Sequence, residues 1–438
     1  MDGDAAAYVL NNDQRIRTLI SAAKQHAERG QRQEAQRLMR QAEMEAPNHP
    51  RVLNEAGLRK LNAGDPAGAL ALFEQVVAGE PDSPELLFNY ASTLRRLDRV
   101  DEAAEIVDRL LLIDPSNLSA LIEKGELQEL QYKPRAAAMS YRAALQSVPP
   151  DFRAPAWMET KLRHAREAVD ANTRALESYI GEGLAHIRAR HADEPLHRFD
   201  QCVEIMLQKR GIYRQQPTFM YFPEMPTIEF YDRGLFPWIG ALEAAADDIR
   251  RELLAVLAEG NETLDPYVDL AHTVMDKWRE LNHSRRWGVY SLWREGKSYP
   301  EHIARCPKTV EAIEEMPRWN VPGSGPTAMF SILDAKSRIP PHTGPVNTRL
   351  VCHLPLIVPP GCGFRVGGQQ REWQPGKAFV FDDSINHEAW NDGDLPRAVL
   401  ICDIWSPYLS AAERELARAL TVRIGEFYGT MSNSGMGV

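Results

Sequence analysis

The chain has 438 residues, 44% of them hydrophobic and 26% charged, and a formal net charge of −10. That length predicts roughly two or three domains rather than one core, and the composition excludes a chain disordered throughout. The acidic balance argues against a broad nucleic-acid surface, no apolar run is long enough to cross a bilayer, and the start Met1-Asp2-Gly3-Asp4 lacks the basic and apolar parts of a secretory signal. With five scattered cysteines (Cys202, Cys306, Cys352, Cys362, Cys402) and no CxxC pair, the expectation is reduced thiols in a cytoplasmic protein.

The first part of the chain repeats. Pro47, Pro81, Pro115 and Pro149 are spaced by 34, and so are Ala35, Ala69, Ala103 and Ala137. A small series (Ala23, Gly57, Ala91, Gly125) and a bulky one (Met39, Phe73, Val107, Tyr141) keep the same period. Agreement of four registers on 34 residues marks a tetratricopeptide-like array of helical hairpins. Small residues on one helix admit its partner, and the bulky residue fills the space beside them. Proline stops the second helix, because it lacks an N–H and restricts the residue before it. One hairpin cannot bury its apolar face, so units stack. Residues 1–150 are therefore expected to form an α-helical solenoid. Its concave side would recruit a protein or peptide; the alternative is a packing scaffold for the rest of the chain.

After Pro149 the repeat fades. Leu162, Ala165, Val169, Leu176 and Ile180 keep helical spacing, which predicts a helical cap and bridge over 151–215. Around Gln215 the composition changes: Tyr221, Phe222, Phe230, Tyr231, Phe236 and Trp238 gather among prolines. A second domain is expected over 216–428, with helices near 239–258 and 262–282, and a flexible tail over 429–438.

From Trp287 onward the apolar period becomes 2. In one stretch Asn347, Arg349, Val351 and His353 share a face, and Leu350, Cys352 and Leu354 take the other, as in a strand between a site and a core. Similar strands are read at 328–333, 376–382 and 397–404. The Gly/Pro turns Pro359-Pro360-Gly361, Gly367-Gly368 and Pro375-Gly376 predict an antiparallel barrel or jelly roll. Polar candidates lie on these strands: His342, His353, His387 and Arg397. Two imidazoles and an arginine suit an iron site that also binds a dicarboxylate, although a lone strand histidine is more often a satisfied core or surface residue.

The run Phe330-Ser331-Ile332-Leu333, Pro341-His342-Thr343-Gly344-Pro345, Asn347-x-Arg349-Leu350, His353-Leu354, Arg365-Val366-Gly367, Trp373, Phe381-Asp382-Asp383-Ser384, His387-Glu388-x-Trp390-Asn391, Arg397 and Asp403-x-Trp405 closely resembles the aspartyl/asparaginyl β-hydroxylase family. The resemblance spans about 285–415 strongly and 220–285 weakly. It implies a multidomain α + β protein: a tetratricopeptide-like solenoid, then a double-stranded β-helix (jelly roll) with flanking helices. It also implies Fe(II), 2-oxoglutarate and O2 as cofactor and cosubstrates, and hydroxylation of an unactivated C–H bond in an aspartyl, asparaginyl or related residue of a protein or peptide.

Carried over position by position, His342 and His387 correspond to the iron ligands. Ser331 and Arg397 correspond to the groups holding the distal carboxylate of 2-oxoglutarate, and His353 to a further cosubstrate contact. Arg349 matches a basic position near the substrate and cosubstrate pocket. Asp383 is either a group that orients an iron-bound water or a cap of the turn before His387. Gly344 stands where most related oxygenases carry a third, carboxylate ligand, an absence the resembled family shares. Val351 stands where animal members carry a second arginine, a departure that bears on the substrate. The rival readings are a hydroxylase of a small molecule or lipid, a halogenase, and a catalytically inactive repeat protein.

Overall fold

The computed structural model of the chain describes residues 2–269 and 276–429, apart from the side chains of 2–12, 261 and 276. Two units are present, residues 1–195 and 196–438. The tail expected over 429–438 lies, beyond Gly429, outside the described residues.

In the first unit α1 (Asp2–Glu28) pairs with α2 (Arg32–Glu45), α3 (Pro50–Asn62) with α4 (Pro66–Gly79), α5 (Pro84–Arg96) with α6 (Val100–Ile113), and α7 (Leu118–Leu130) with α8 (Pro134–Gln146). The 34-residue spacing is thus one hairpin per repeat. Helices start where the backbone is prepared for them. Proline opens α3, α4, α5 and α8, where a missing N–H costs nothing. Asp65 accepts from Gly68 N at 2.8 Å, and Asn117 accepts from Ala120 N at 3.0 Å, satisfying orphan N–H groups. Pro47, Pro81, Pro115 and Pro149 fall just beyond the ends of α2, α4, α6 and α8. The small and bulky series meet as expected. A Cβ on Gly57 would stand 2.7 Å from the Phe73 ring, and one on Gly125 would overlap the Tyr141 ring. Both rings are fully buried.

The last helix of this unit, α9 (Ala156–Arg190), caps the stack over its first half, as far as Thr173. Met158, Leu162 and Ala165 join a core with Leu121, Ala137 and Tyr141. Val169 and Ile180 are half-buried, and Leu176 is 41% exposed. Helical periodicity alone did not tell how far along the helix a partner surface extends. The segment 151–215 does not form one element: α9 counts with the repeats, and α10 (His197–Met206) counts with the second unit.

The second unit continues with α11 (Ile239–Ala244), α12 (Ala246–Leu257), β1 (Asp265–Pro266), β2 (Trp287–Arg294), β3 (Lys297–Ser298), α13 (Pro300–Arg305) and α14 (Pro307–Glu314). Then come β4 (Ala328–Leu333), β5 (Ser337–His342), β6 (Arg349–Ile357), β7 (Cys362–Val366), β8 (Gln369–Arg371), β9 (Phe379–Phe381), β10 (His387–Asn391), β11 (Arg397–Trp405) and α15 (Ala411–Tyr428). The helix expected over 239–258 is present but broken at Ala245. The helix expected over 262–282 is absent where the chain is described. Pro266 keeps Asp265 extended, and Asp265 pairs with Val289 of β2 instead.

Two antiparallel sheets hold the site. The larger runs β1-β2-β4-β11-β6-β9 with β3 beside β2, and the smaller runs β5-β10-β7-β8. From β4 onward the chain winds back and forth between them, as a double-stranded β-helix requires. Leu333, Val351, Phe381 and Val399 of the larger sheet pack with Ile339, Phe364, Val366 and Ala389 of the smaller. On the outer face Leu350, Cys352 and Leu354 pack against Leu242, Ile249 and Leu253 of α11 and α12. The period-2 reading of β6 is thereby realised. β5 runs through Pro340 and Pro341, which it tolerates because it is an edge strand.

Candidate active site

All seven residues selected from the sequence line one cavity of about 160 Å³, built from both sheets: Ser331, His342, Arg349, His353, Asp383, His387 and Arg397. β4 carries Ser331, β6 carries Arg349 and His353, and β11 begins with Arg397. His342 ends β5 and His387 begins β10, and the two are direct cross-strand partners.

The histidine rings lie with centroids 4.1 Å apart. His342 Nδ1 lies 2.8 Å from Pro340 O, and His387 Nδ1 lies 3.0 Å from Ile385 O. A carbonyl only accepts, so each Nδ1 carries the proton and each Nε2 keeps a bare lone pair. Burial pushes His342 well below the ordinary imidazole range, with His387 adding to the effect. Burial also pushes His387 down to about 4. Two neutral imidazoles held by carbonyls through Nδ1 are a donor set for a transition metal. Among the described residues no group of three or more His, Cys, Asp or Glu gathers in metal-binding geometry, and these two imidazoles are the pair that faces the cavity together. A side chain at Gly344 has no room, because a Cβ there would overlap the Asp383 carboxylate.

Arg397 is 1% exposed and, among the described residues, pairs with no carboxylate. Its Nη1 reaches only Ser331 O, at 3.5 Å, and its Nε has no partner. Its guanidinium lies 4.4 Å from the centre of the Trp373 ring. Burial without an anion pushes its pKa down to about 10. Such a cation is costly unless an anion completes it. Beside it, Ser331 Oγ accepts from Trp287 Nε1 at 3.0 Å, which leaves the hydroxyl proton free to donate. His353 Nδ1 is buried without a partner; burial, then Arg397, keep this ring neutral.

Arg349 is bound differently. Its Nη2 pairs with Asp383 Oδ2, and its Nη1 lies 3.2 Å from Asp403 Oδ2. Burial works against its charge, but Asp383 and Asp403 hold it ionised. Burial raises both carboxyls, and Arg349 pulls them down. Asp383 keeps Oδ1 without a partner. The turn before His387 is capped by Asp382 rather than Asp383: Asp382 Oδ1 accepts from Ser384 N at 2.9 Å and from Ser384 Oγ at 2.6 Å.

Several contributors were not assigned roles from the sequence. Asp403 and Trp373 stood in the motif without a function, and Trp287 marked only a change of period. Tyr267 stacks on Trp287 at 3.9 Å, and Trp278 meets His342 edge-on at 5.2 Å. Their signal in the sequence is only a local density of aromatic residues, which a plain core would also show.

Residues 243–407 match the family model described as Aspartyl/Asparaginyl beta-hydroxylase, and residues 60–124 match a Tetratricopeptide repeat model. The chain is 37% identical to the "Ornithine lipid ester-linked acyl 2-hydroxylase" of Rhizobium tropici, over 42% of this chain and 62% of the relative. It is 31% identical to "Aspartate beta-hydroxylase domain-containing protein 2" of Homo sapiens, over 46% of this chain and 53% of the relative. It is 33% identical to the "Aspartyl/asparaginyl beta-hydroxylase" of Homo sapiens, over 32% of this chain and 18% of the relative. The chain thus spans about three fifths or less of the length of these curated relatives.

Proposed function

We propose, from the premise that residues 243–407 form a domain of the aspartyl/asparaginyl β-hydroxylase family, that this chain is an Fe(II)- and 2-oxoglutarate-dependent dioxygenase. It would hydroxylate an unactivated C–H bond in an aspartyl, asparaginyl or related residue of a protein or peptide, which the repeats would recruit. The observation that carries this reading is the meeting, in one cavity, of two neutral imidazoles with bare Nε2 atoms and a buried guanidinium that no carboxylate of the described residues meets.

His342 and His387 would hold Fe(II). Arg397 and Ser331 would hold the distal carboxylate of 2-oxoglutarate, with His353 beside it. When bound, iron and cosubstrate supply with O2 an oxidant strong enough for a C–H bond. The chain's own residues prepare the place. Burial keeps the imidazoles unprotonated at neutral pH, so both lone pairs are available. Arg397 in apolar surroundings gives the carboxylate a fixed, charge-assisted partner. Asp383 Oδ1 is an acceptor able to orient a water or the substrate. Trp287, Phe364 and Trp373 restrict water around the cosubstrate end. A second reading, with an acyl chain as substrate, draws on the likeness to the Rhizobium tropici enzyme.

The test is ligand binding and succinate release by the whole chain. His342→Ala and His387→Ala should each lose most of the iron. Arg397→Gln should weaken 2-oxoglutarate about ten- to a hundredfold, the loss of roughly 1.5–3 kcal/mol. Full iron content in either histidine variant, or unchanged 2-oxoglutarate affinity in Arg397→Gln, would remove the reading. Both ligands bound without succinate release would leave the repeats as the working part.

A further inference from the structure

Among the described residues, the charged side chains lining the cavity are Arg294, Arg349 and Arg397 against Glu295, Asp383 and Asp403. Their pairing is uneven. Arg397 meets none of these acids. Arg349 has two: its Nη2 is taken by Asp383 and its Nη1 by Asp403. Arg294 gives Nη2 to the Tyr267 carbonyl at 2.9 Å, and Glu295, next in the chain, lines the same cavity. Setting Arg397 aside for the cosubstrate leaves two arginines facing three acids.

We infer that the substrate group presented beside the two histidines carries no negative charge, so that a side-chain amide or another uncharged group is accepted and a carboxylate at that place is refused. This deepens the proposed function and rests on Arg397 serving 2-oxoglutarate. An entering carboxylate needs a cation, and Arg349, which lines the cavity, already has both Nη groups bonded. Asp403 is 3% exposed and Asp383 is 7% exposed at the side chain. Displacing either would leave a buried carboxylate without its partner, while the other would repel the newcomer. The arrangement is built into the strand ladder. Arg349 opens β6 opposite Trp405, and Asp403 stands two residues earlier on β11, opposite Val351. The pair therefore holds its place without a side chain having to search for it.

The experiment uses acetate and acetamide as probes, titrated by NMR into the full chain. Wild type should bind acetate at Arg397. Arg397→Gln should bind it at least about tenfold more weakly, because Arg349 is held by two acids and Arg294 is turned to the Tyr267 carbonyl, and should bind acetamide as before. Adding Asp403→Asn to Arg397→Gln should restore about tenfold by freeing Nη1 of Arg349 and removing one negative charge beside it. Adding Asp383→Asn instead frees the other Nη group of Arg349 and should give the same gain, which covers a misfolded Asp403 variant. Unchanged acetate affinity in Arg397→Gln would overturn the inference. So would no gain in either folded double variant. 2-Oxoglutarate affinity, measured on the same samples, judges the dioxygenase reading separately. If it fails, the acetate series still shows whether Arg349 is withheld.

Discussion

Asp382 is fully buried in the turn between β9 and β10, and its Oδ2 accepts from Gln215 Nε2 at 2.6 Å. Burial outweighs these hydrogen bonds and raises its pKa from 3.8 to about 7. A carboxyl raised on folding is protonated more readily in the native state. Its native state is therefore favoured at low pH, and stability is lost as pH rises from about 4 to 7. Asp382→Asn keeps an acceptor for Ser384 and has no such titration. Its stability relative to wild type should improve across that window, by at most about 1.4 kcal/mol per pH unit. Denaturant unfolding at pH 4.5, 5.5 and 6.5 reads the slope; a difference that does not move with pH would refute the raised pKa of Asp382. Asp382 and Asp383 look alike in the sequence. One caps a turn and the other meets Arg349, and only the direction of each side chain separates them.

At the scale of elements, the repeat hairpins close on their small residues. Alanine is the better helix former than glycine by about 1 kcal/mol, so Gly125→Ala would stabilise an isolated helix. In α7 the added methyl meets the ring of Tyr141, which is fully buried and donates its hydroxyl to Glu129 at 3.0 Å. Overpacking of this kind costs about 1–3 kcal/mol. Gly125→Ala should therefore lower the thermal midpoint of the repeats, followed by far-UV circular dichroism. Gly181→Ala in α9, where a Cβ meets nothing within 4 Å, should leave the midpoint unchanged or raise it. A Gly125→Ala chain as stable as wild type would show that the close approach of α7 and α8 is not needed.

The whole molecule divides at Pro195 and Leu196, and every candidate site residue lies in the second unit. A chain beginning at Leu196 should bind 2-oxoglutarate within about threefold of the full chain, since no group holding it is removed. If the repeats recruit the substrate, that shortened chain should lose native turnover through KM rather than kcat, with its unstimulated succinate release preserved. A chain beginning at residue 151, which keeps α9, separates recruitment from packing. If it turns over the native substrate as well as the full chain does, recruitment by the hairpins is wrong. No helix among the described residues is long and apolar enough to cross a membrane.

The 34-residue period by itself determined the hairpins, their turns and the contact between small and bulky residues, because those are local and recur identically. The alternation along β6 likewise determined which face meets the core, since a strand has only two faces. The tertiary structure decided what depends on residues far apart in the chain. It joined His342 to His387 across strands β5 and β10. Among the described residues it left Arg397 without an acid, although acidic residues are plentiful in the sequence. It gave Arg349 two carboxylates from separate segments, and it ended the packing of α9 after its first half. Each of these turns on which charges and surfaces are brought together and which are left apart, and burial makes that difference energetically large.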